Sequence, residues 1–165
     1  METVDFSNRR GALVGLLPHI YAILKDNAAN DKSLRAKAPE HMVTWLQKAK
    51  RNLTDINRRF IVCMDAMVLA GYLFYRYKGK DIHIDDLQIA WNYRGDANIL
   101  NGMLKKLEYD PGTKDAIFYA GEAIKVPKDT EILESVGFVH DFGSEGENLG
   151  SLGATVNALK SRYAL

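Results

Sequence analysis

The chain has 165 residues, 47% of them hydrophobic and 26% charged, with 22 Lys and Arg against 21 Asp and Glu. That balance supplies a core for a single domain over 1–165 and excludes a mostly disordered chain. A formal net charge of +1 gives no general attraction to nucleic acid or to an anionic membrane.

No internal repeat or low-complexity tract interrupts the chain. From Arg9 to Lys25, Leu13, Leu16, Leu17, Ile20 and Leu24 recur at helical spacing. Pro18 lacks an N–H and crowds the preceding turn, so it either kinks this helix or restarts it. Asp26 to Ala38 is polar and reads as a loop or frayed turn. Pro39 suits a first helical turn, followed by Met42, Val43, Leu46 and Ala49 on one face.

At Arg59 the period changes. Phe60 to Met64 reads as a buried strand and Asp65-Ala66 as a turn. Val68 to Tyr77 is rich in aromatic and β-branched residues, and Lys78-Gly79-Lys80 closes a hairpin to a third strand, Ile82 to Trp91. Helical spacing returns at Asp96 with Ile99, Leu100, Met103, Leu104 and Leu107, and Asp110-Pro111-Gly112 ends it. Ala116 to Ala120 is then a strand reached by a crossover. Thr130 to Val136 reads as a short helix, Gly137-Phe138-Val139 as the start of a last strand, and Gly143 to Gly150 as a loop. Ser151 to Leu165 reads as an amphipathic helix carrying Leu152, Val156, Leu159 and Tyr163. The fold class is α+β, a mixed, mostly antiparallel sheet flanked by helices.

Cys63 is the single cysteine, so no internal disulfide forms, and no Cys/His spacing matches a metal site. It lies in an apolar strand without a basic neighbour and reads as core. The acidic start lacks the layout of a signal peptide, and no apolar run reaches membrane-spanning length. A cytoplasmic protein without a membrane partner is expected. Lys48, Lys50, Arg51, Arg58 and Arg59 form a basic cluster, read either as a solvated helix face or as a contact for acidic groups. Trp45 and Trp91 read as packing anchors. Tyr72, Phe74, Tyr75 and Tyr77 alternate along a strand, so core and sheet surface account for them better than a stacking platform for nucleic acid.

The order of elements, with Val68-Leu69-Ala70-Gly71-Tyr72, Leu87 to Gly95 and Glu134-Ser135-Val136-Gly137-Phe138, resembles the GNAT family of acetyl-CoA-dependent N-acetyltransferases. The likeness covers about half the chain, Phe60 to Phe138, and implies a GNAT-like fold with acetyl-CoA as co-substrate. The acceptor would be an amine on a small molecule or a protein. The resemblance implies that the backbone at Gln88, Ile89 and Ala90 holds the pantetheine arm. Arg94, Gly95, Asp96, Ala97, Asn98 and Ile99 would cradle the pyrophosphate with outward backbone N–H groups. Gly95 and Ala97 leave room for phosphate, whereas Ile99 stands where a small residue is expected and Asp96 is a natural N-cap.

His83 and Asp85 stand where the family's amine-deprotonating base or its water relay projects. Strict alternation puts them on one face with Leu87 and Ile89, opposite Ile84, Asp86 and Gln88. The alternative for Asp85 and Asp86 is a solvated sheet surface. Leu133 occupies the position of the family's usual tyrosine proton donor, leaving Tyr119, Tyr109 or water. Val126, Pro127 and Asp129 also depart from the pattern, and 143–165 is atypical. The second reading is a catalytically silent GNAT-fold binding or assembly protein, within a larger complex or a virus particle, docking a protein partner through its C-terminal helix.

Overall fold

The computed structural model describes residues 1–32, 39–79, 81–107, 133–134 and 138–139, together with the backbone of 117–120 and 152–155. Six strands form one sheet in the order β1 (Glu2–Asp5), β2 (Arg58–Asp65), β3 (Val68–Lys78), β4 (Asp81–Ile89), β5 (Ile117–Ala120) and β6 (Leu152–Thr155). Every neighbouring pair is antiparallel except β4 and β5, which are parallel and mark the crossover. Helices α1 (Arg10–Val14), α2 (Leu17–Asn30) and α3 (Met42–Asn52) belong to one face. Helix α4 (Ala97–Lys105) packs on the other.

The alternation of β2 and β3 builds two cores at once. Phe60, Val62 and Tyr72 turn toward α2, while Ile61, Cys63 and Leu73 turn toward α4. Cys63 is 1% exposed, and burial pushes its thiol above its ordinary value, which suits a packing residue. The stripe Ile99, Leu100, Met103 and Leu104 is buried as its spacing required, with Leu107 just beyond the helix end. Tyr72 and Tyr75 are both fully buried, one in each core.

Several boundaries differ from the sequence reading. Pro18 restarts the helix, lying in the first turn of α2, where its missing N–H costs nothing. That helix runs on to Asn30 because Asn27, 1% exposed, is held by the far side of the fold. Local polarity suggested a loop there, and a tertiary contact overrides it. Pro39 precedes α3 without entering it. The helix starts at Met42, where the His41 imidazole accepts the Val43 N–H at 3.3 Å. Trp45, Leu46 and Ala49 pack on the core, whereas Val43 is 57% exposed.

The third strand ends at Ile89, and Trp91 belongs to a short 3-10 turn with Arg94 over its ring, so it is no packing anchor. Strand β1 has no counterpart in the sequence reading; its four residues are too few for a periodic signal. The expected C-terminal helix begins instead as β6, where Leu152-Gly153-Ala154-Thr155 completes the edge of β5. Gly153 and β-branched Thr155 are weak helix formers, and an open strand edge supplies the pairing. Near Phe138 the described residues show only a single bridge at Val139. The expected stop at 110–112, the loop at 143–150 and the tail 156–165 lie outside the described residues. No helix among the described residues is long and apolar enough to cross a membrane.

Candidate active site

Strand β4 carries a bulge. Tyr75 pairs with Ile84 and Phe74 with Asp86, so Asp85 is an extra residue between two paired positions. An inserted residue resets the alternation of a strand. Ile82, Ile84, Leu87 and Ile89 therefore all enter the core under α4. Asp85, Asp86 and Gln88 line a cleft on the opposite face. His83 is opposite Arg76 in register, and Arg76 is ion-paired to Asp85. The strict period of two, which grouped Asp85 with Leu87 and Ile89, fails at this one residue.

The cleft has a volume of about 670 Å³ and lies between the sheet and helices α2 and α3. Its walls are largely apolar, built from Leu17, Leu24, Trp45, Ala49, Phe60 and Phe74. At its floor Asp85 lies 3.0 Å from Arg58 Nη1 and 3.0 Å from Arg76 Nε. Burial pushes the Asp85 carboxyl up from its ordinary value, and the two guanidiniums pull against that shift. His83 is 9% exposed. Burial, with Arg76 and Lys78 nearby, holds its imidazole below its ordinary value, so it is neutral at neutral pH. The structure gathers His83 and Asp85 around one guanidinium, but of the two only Asp85 lines the cleft among the described residues.

Asp86 is the site residue that the sequence reading left as sheet surface. Its Oδ2 accepts the Tyr72 hydroxyl at 2.7 Å, and its Oδ1 lies 3.5 Å from Gln88 Nε2. Burial and the Asp86 carboxylate hold the Tyr72 phenol well above its ordinary value, so Tyr72 stays a donor. The only signal in the sequence was the adjacency of two acids. A bulge that turns both toward one face is not visible in a one-dimensional pattern. Of the basic cluster, Arg58 turns into the cleft, while Lys48 pairs with Glu40 at 2.7 Å on its rim.

Beyond the bulge, β4 has an open edge. It pairs with β5 only over Ile82 to Ile84, and no strand covers the stretch after that among the described residues. The Ala90 N–H donates to Ala70 O at 2.8 Å, which sets the phase of the ladder. The main-chain groups of Gln88 consequently face β3, and those of Leu87 and Ile89 face the open edge. Of the three residues expected to hold a pantetheine arm, Ile89 is the one presenting main-chain groups there. Its carbonyl accepts Asn27 Nδ2 at 3.0 Å, and the same amide reaches Gln88 Oε1 at 3.0 Å.

The edge ends in the turn that enters α4. Gly95 has φ +87°, a conformation that favours glycine, and a Cβ there would meet nothing within 4 Å. Asp96 caps the helix, its Oδ1 accepting the Asn98 N–H at 2.9 Å. Ala97 and Asn98 are exposed. Ile99 was expected to crowd the approach of phosphate, yet it is fully buried and packs toward Gly71. Arg94 Nη2 lies 3.4 Å from Gln88 Oε1, which ties the turn to the cleft. Leu133 is 0% exposed within the α4 core, so this position offers a packing side chain and no proton. The departures at 126, 127 and 129, and the side chains of Tyr109 and Tyr119, lie outside the description.

Compared by sequence, the chain matches no protein-family model and no curated protein. Compared by structure, it is similar to the PaiA N-acetyltransferase of Thermoplasma acidophilum in complex with coenzyme A. The two share 11% identity and a TM-score of 0.60, over 94% of this chain and 99% of that one. A variant of the spermidine N-acetyltransferase SpeG of Vibrio cholerae matches at 15% identity and a TM-score of 0.60, over 97% and 96%. The ribosomal-protein-S18-alanine N-acetyltransferase of Escherichia coli matches at 11% identity and a TM-score of 0.56, over 94% of each chain. With the bulged β4, its open edge and the turn into α4, these likenesses settle the architecture: this chain has the fold of the GNAT N-acetyltransferases.

Proposed function

We propose that the protein transfers an acetyl group from acetyl-CoA to an amine by direct attack, without an acyl-enzyme. The observation that carries this reading is the open β4 edge, which runs into a glycine turn and a helix N-terminus beside a carboxylate-floored cleft. The residues fit the co-substrate: Ile99 is turned away, Gly95 is open, and the Leu87 and Ile89 main chain faces the edge. Gln88, Ile89 and Ala90 would hold the pantetheine arm, with Ile89 as the direct contact. Residues 94–99 would hold the pyrophosphate through backbone N–H groups and the positive end of the α4 dipole. Acetyl-CoA supplies an activated thioester carbonyl.

The chain's own residues then prepare the amine. The ammonium is desolvated in the cleft near Asp85 and Asp86, and Asp85 takes its proton directly or through water. His83, kept neutral by its surroundings, is the second acceptor for that proton, reached through water near Arg76. The amine nitrogen forms the amide bond, the carbon–sulfur bond breaks, and the departing thiolate takes a proton from solvent, because Leu133 has none to give. The other reading, a silent binding protein, is favoured by one contact: Asp96 already occupies the Asn98 N–H.

The test is incubation of the purified protein with acetyl-CoA and a panel of amines. Thiol release and product mass are read, with thermal melting run in parallel. Thiol release matched by N-acetylated amine supports the proposal. A protein whose melting point rises with acetyl-CoA but forms no product supports the silent reading, and no shift at millimolar acetyl-CoA sinks the transferase reading and leaves the silent one standing.

A further inference from the structure

Arg10, the first residue of α1, is not among the described residues that line the cleft, yet its guanidinium gathers the backbone that carries Arg58 into it. Its Nη1 donates to the carbonyls of Leu53 at 2.8 Å and Asp55 at 2.5 Å, its Nη2 to that of Arg58 at 2.6 Å, and its Nε to that of Ser7 at 2.9 Å. The same group lies 5.2 Å from the centre of the Phe60 ring. Leu53 is the C-cap of α3, where a helix end leaves carbonyls unpaired. The Arg58 carbonyl takes this donor for a different reason. Asn57 O accepts the Tyr77 N–H of β3, so the next carbonyl points to the β1 side, beyond the last β1 pair, Asp5 with Ile61. Arg10 supplies there the donor that a longer β1 would have supplied.

Arg58 needs such a hold. It stands opposite Arg76 across β2 and β3, and two guanidiniums side by side repel. Both reach Asp85, Arg58 at Oδ2 and Arg76 at Oδ1, 3.0 Å each, and Asp55 Oδ2 lies 3.3 Å from Arg58 Nε. We propose that Arg10 is a positioning residue for the reaction, pinning the α3–β2 connection and the Arg58 backbone so that the Arg58 guanidinium meets Asp85. The inference rests on the reading of Asp85 as the amine's proton acceptor and adds what aims its partner. A lysine cannot replace Arg10, because one ammonium has no planar fork to serve carbonyls of separate segments at once. The charged groups around Asp85 are Arg58 from β2, Arg76 from β3 and Asp55 from the connection, with His83 and Asp86 beside it on β4 and Glu40 and Lys48 elsewhere in the cleft lining. Arg58 and Asp55 are the two that Arg10 holds. Arg58 lowers the proton affinity of Asp85 more than Asp55 raises it, so loosening both raises that affinity.

The test is the carboxyl carbon-13 titration of Asp85 in the full chain without acetyl-CoA, so it does not depend on turnover. Arg58→Gln should raise the Asp85 midpoint by about one pH unit. Arg10→Lys, which keeps the charge, should place the midpoint between those of the unaltered protein and Arg58→Gln, and should add nothing once Arg58→Gln is present. If Arg10 only stabilises the fold, Arg10→Lys lowers the melting point and leaves the Asp85 midpoint where it was, which overturns the inference. A shift that persists in full beside Arg58→Gln overturns it too. Should Arg10→Lys fail to fold, the Arg10 Nη resonances of the unaltered protein decide. Distinct, slowly exchanging signals support the inference, and signals averaged like those of a solvated arginine overturn it. An Asp85 midpoint that shifts in a protein forming no N-acetylated product keeps the link from Arg10 through Arg58 to Asp85 and overturns the proposed reaction. Product formation with an unchanged midpoint in folded Arg10→Lys does the reverse.

Discussion

Asp96 caps α4 at the turn proposed to hold the pyrophosphate, and replacing it separates a helix cap from a ligand site. Its carboxylate accepts the Asn98 N–H at 2.9 Å, so a pyrophosphate that used this N–H would have to displace it. Asp96→Ala removes the cap and should cost about 0.5–2 kcal/mol of stability, whereas Asp96→Gly should cost only a few tenths. The glycine variant also removes a negative charge beside the bound diphosphate. At a separation of roughly 5 Å in water, repulsion is about 0.8 kcal/mol per charge pair, so two phosphate charges give about 1.6 kcal/mol. Asp96→Gly should therefore bind coenzyme A about tenfold more tightly at low salt, and the gain should shrink at high salt. Calorimetric titration with coenzyme A measures this, and pantetheine, which lacks the diphosphate, is the control. Unchanged or weaker coenzyme A binding by a folded Asp96→Gly protein would refute the reasoning. An equal gain for pantetheine would refute it too.

Three other substitutions test the frame around the site. In Gly71→Ala, the new Cβ would lie 2.9 Å from the Gln88 carbonyl oxygen and 3.3 Å from Ile99 Cγ2. Overpacking of that kind should lower stability by about 1–3 kcal/mol in denaturant unfolding, and an unchanged midpoint would contradict the contact. Asn27→Ala removes the donor to Gln88 Oε1 and the Ile89 carbonyl, at a cost of about 1–3 kcal/mol. Asn27→Asp, which sets a carboxylate against both acceptors, should cost more, and the opposite order would show that Asn27 is oriented otherwise. His83 has a folded pKa below its unfolded one, so the unfolded chain takes up the proton first as the pH falls. Its contribution is complete above the ordinary histidine value of about 6.5 and is lost below it, down to the folded value. His83→Gln should flatten the fall of stability over that window, and an identical pH slope would sink the assignment.

The fold was legible where burial enforces a period. The stripe from Ile99 to Leu107 and the alternation through Phe60 to Tyr77 each require one face to leave water, so they located α4, β2 and β3. What escaped depended on partners far along the chain. The extension of α2 to Asn30 rests on Asn27 meeting Gln88 and Ile89, sixty-one and sixty-two residues away. Strand β6 exists because β5 offers an edge, and nothing in Leu152-Gly153-Ala154-Thr155 announces that. Of the candidate site residues, His83, Asp85 and the turn at Gly95 were expected from family resemblance, only Asp85 of these lining the cleft among the described residues, and the Asp96 cap was legible in its residue type. Asp86 and Tyr72 were missed because the bulge at Asp85 turns neighbouring acids toward one face. Local sequence does not encode a register that two strands settle between them.

The central claim is that the open edge of β4 and the turn into α4 form a single binding track for acetyl-CoA. Amide resonances of the isotope-labelled protein, followed through a titration with acetyl-CoA, test it residue by residue. Leu87, Ile89 and the stretch from Gly95 to Asn98 should shift together along one saturation curve, while Val4 and Val62 on the far side of the sheet stay in place. Saturable shifts confined to other residues, or none up to millimolar acetyl-CoA, would contradict the account.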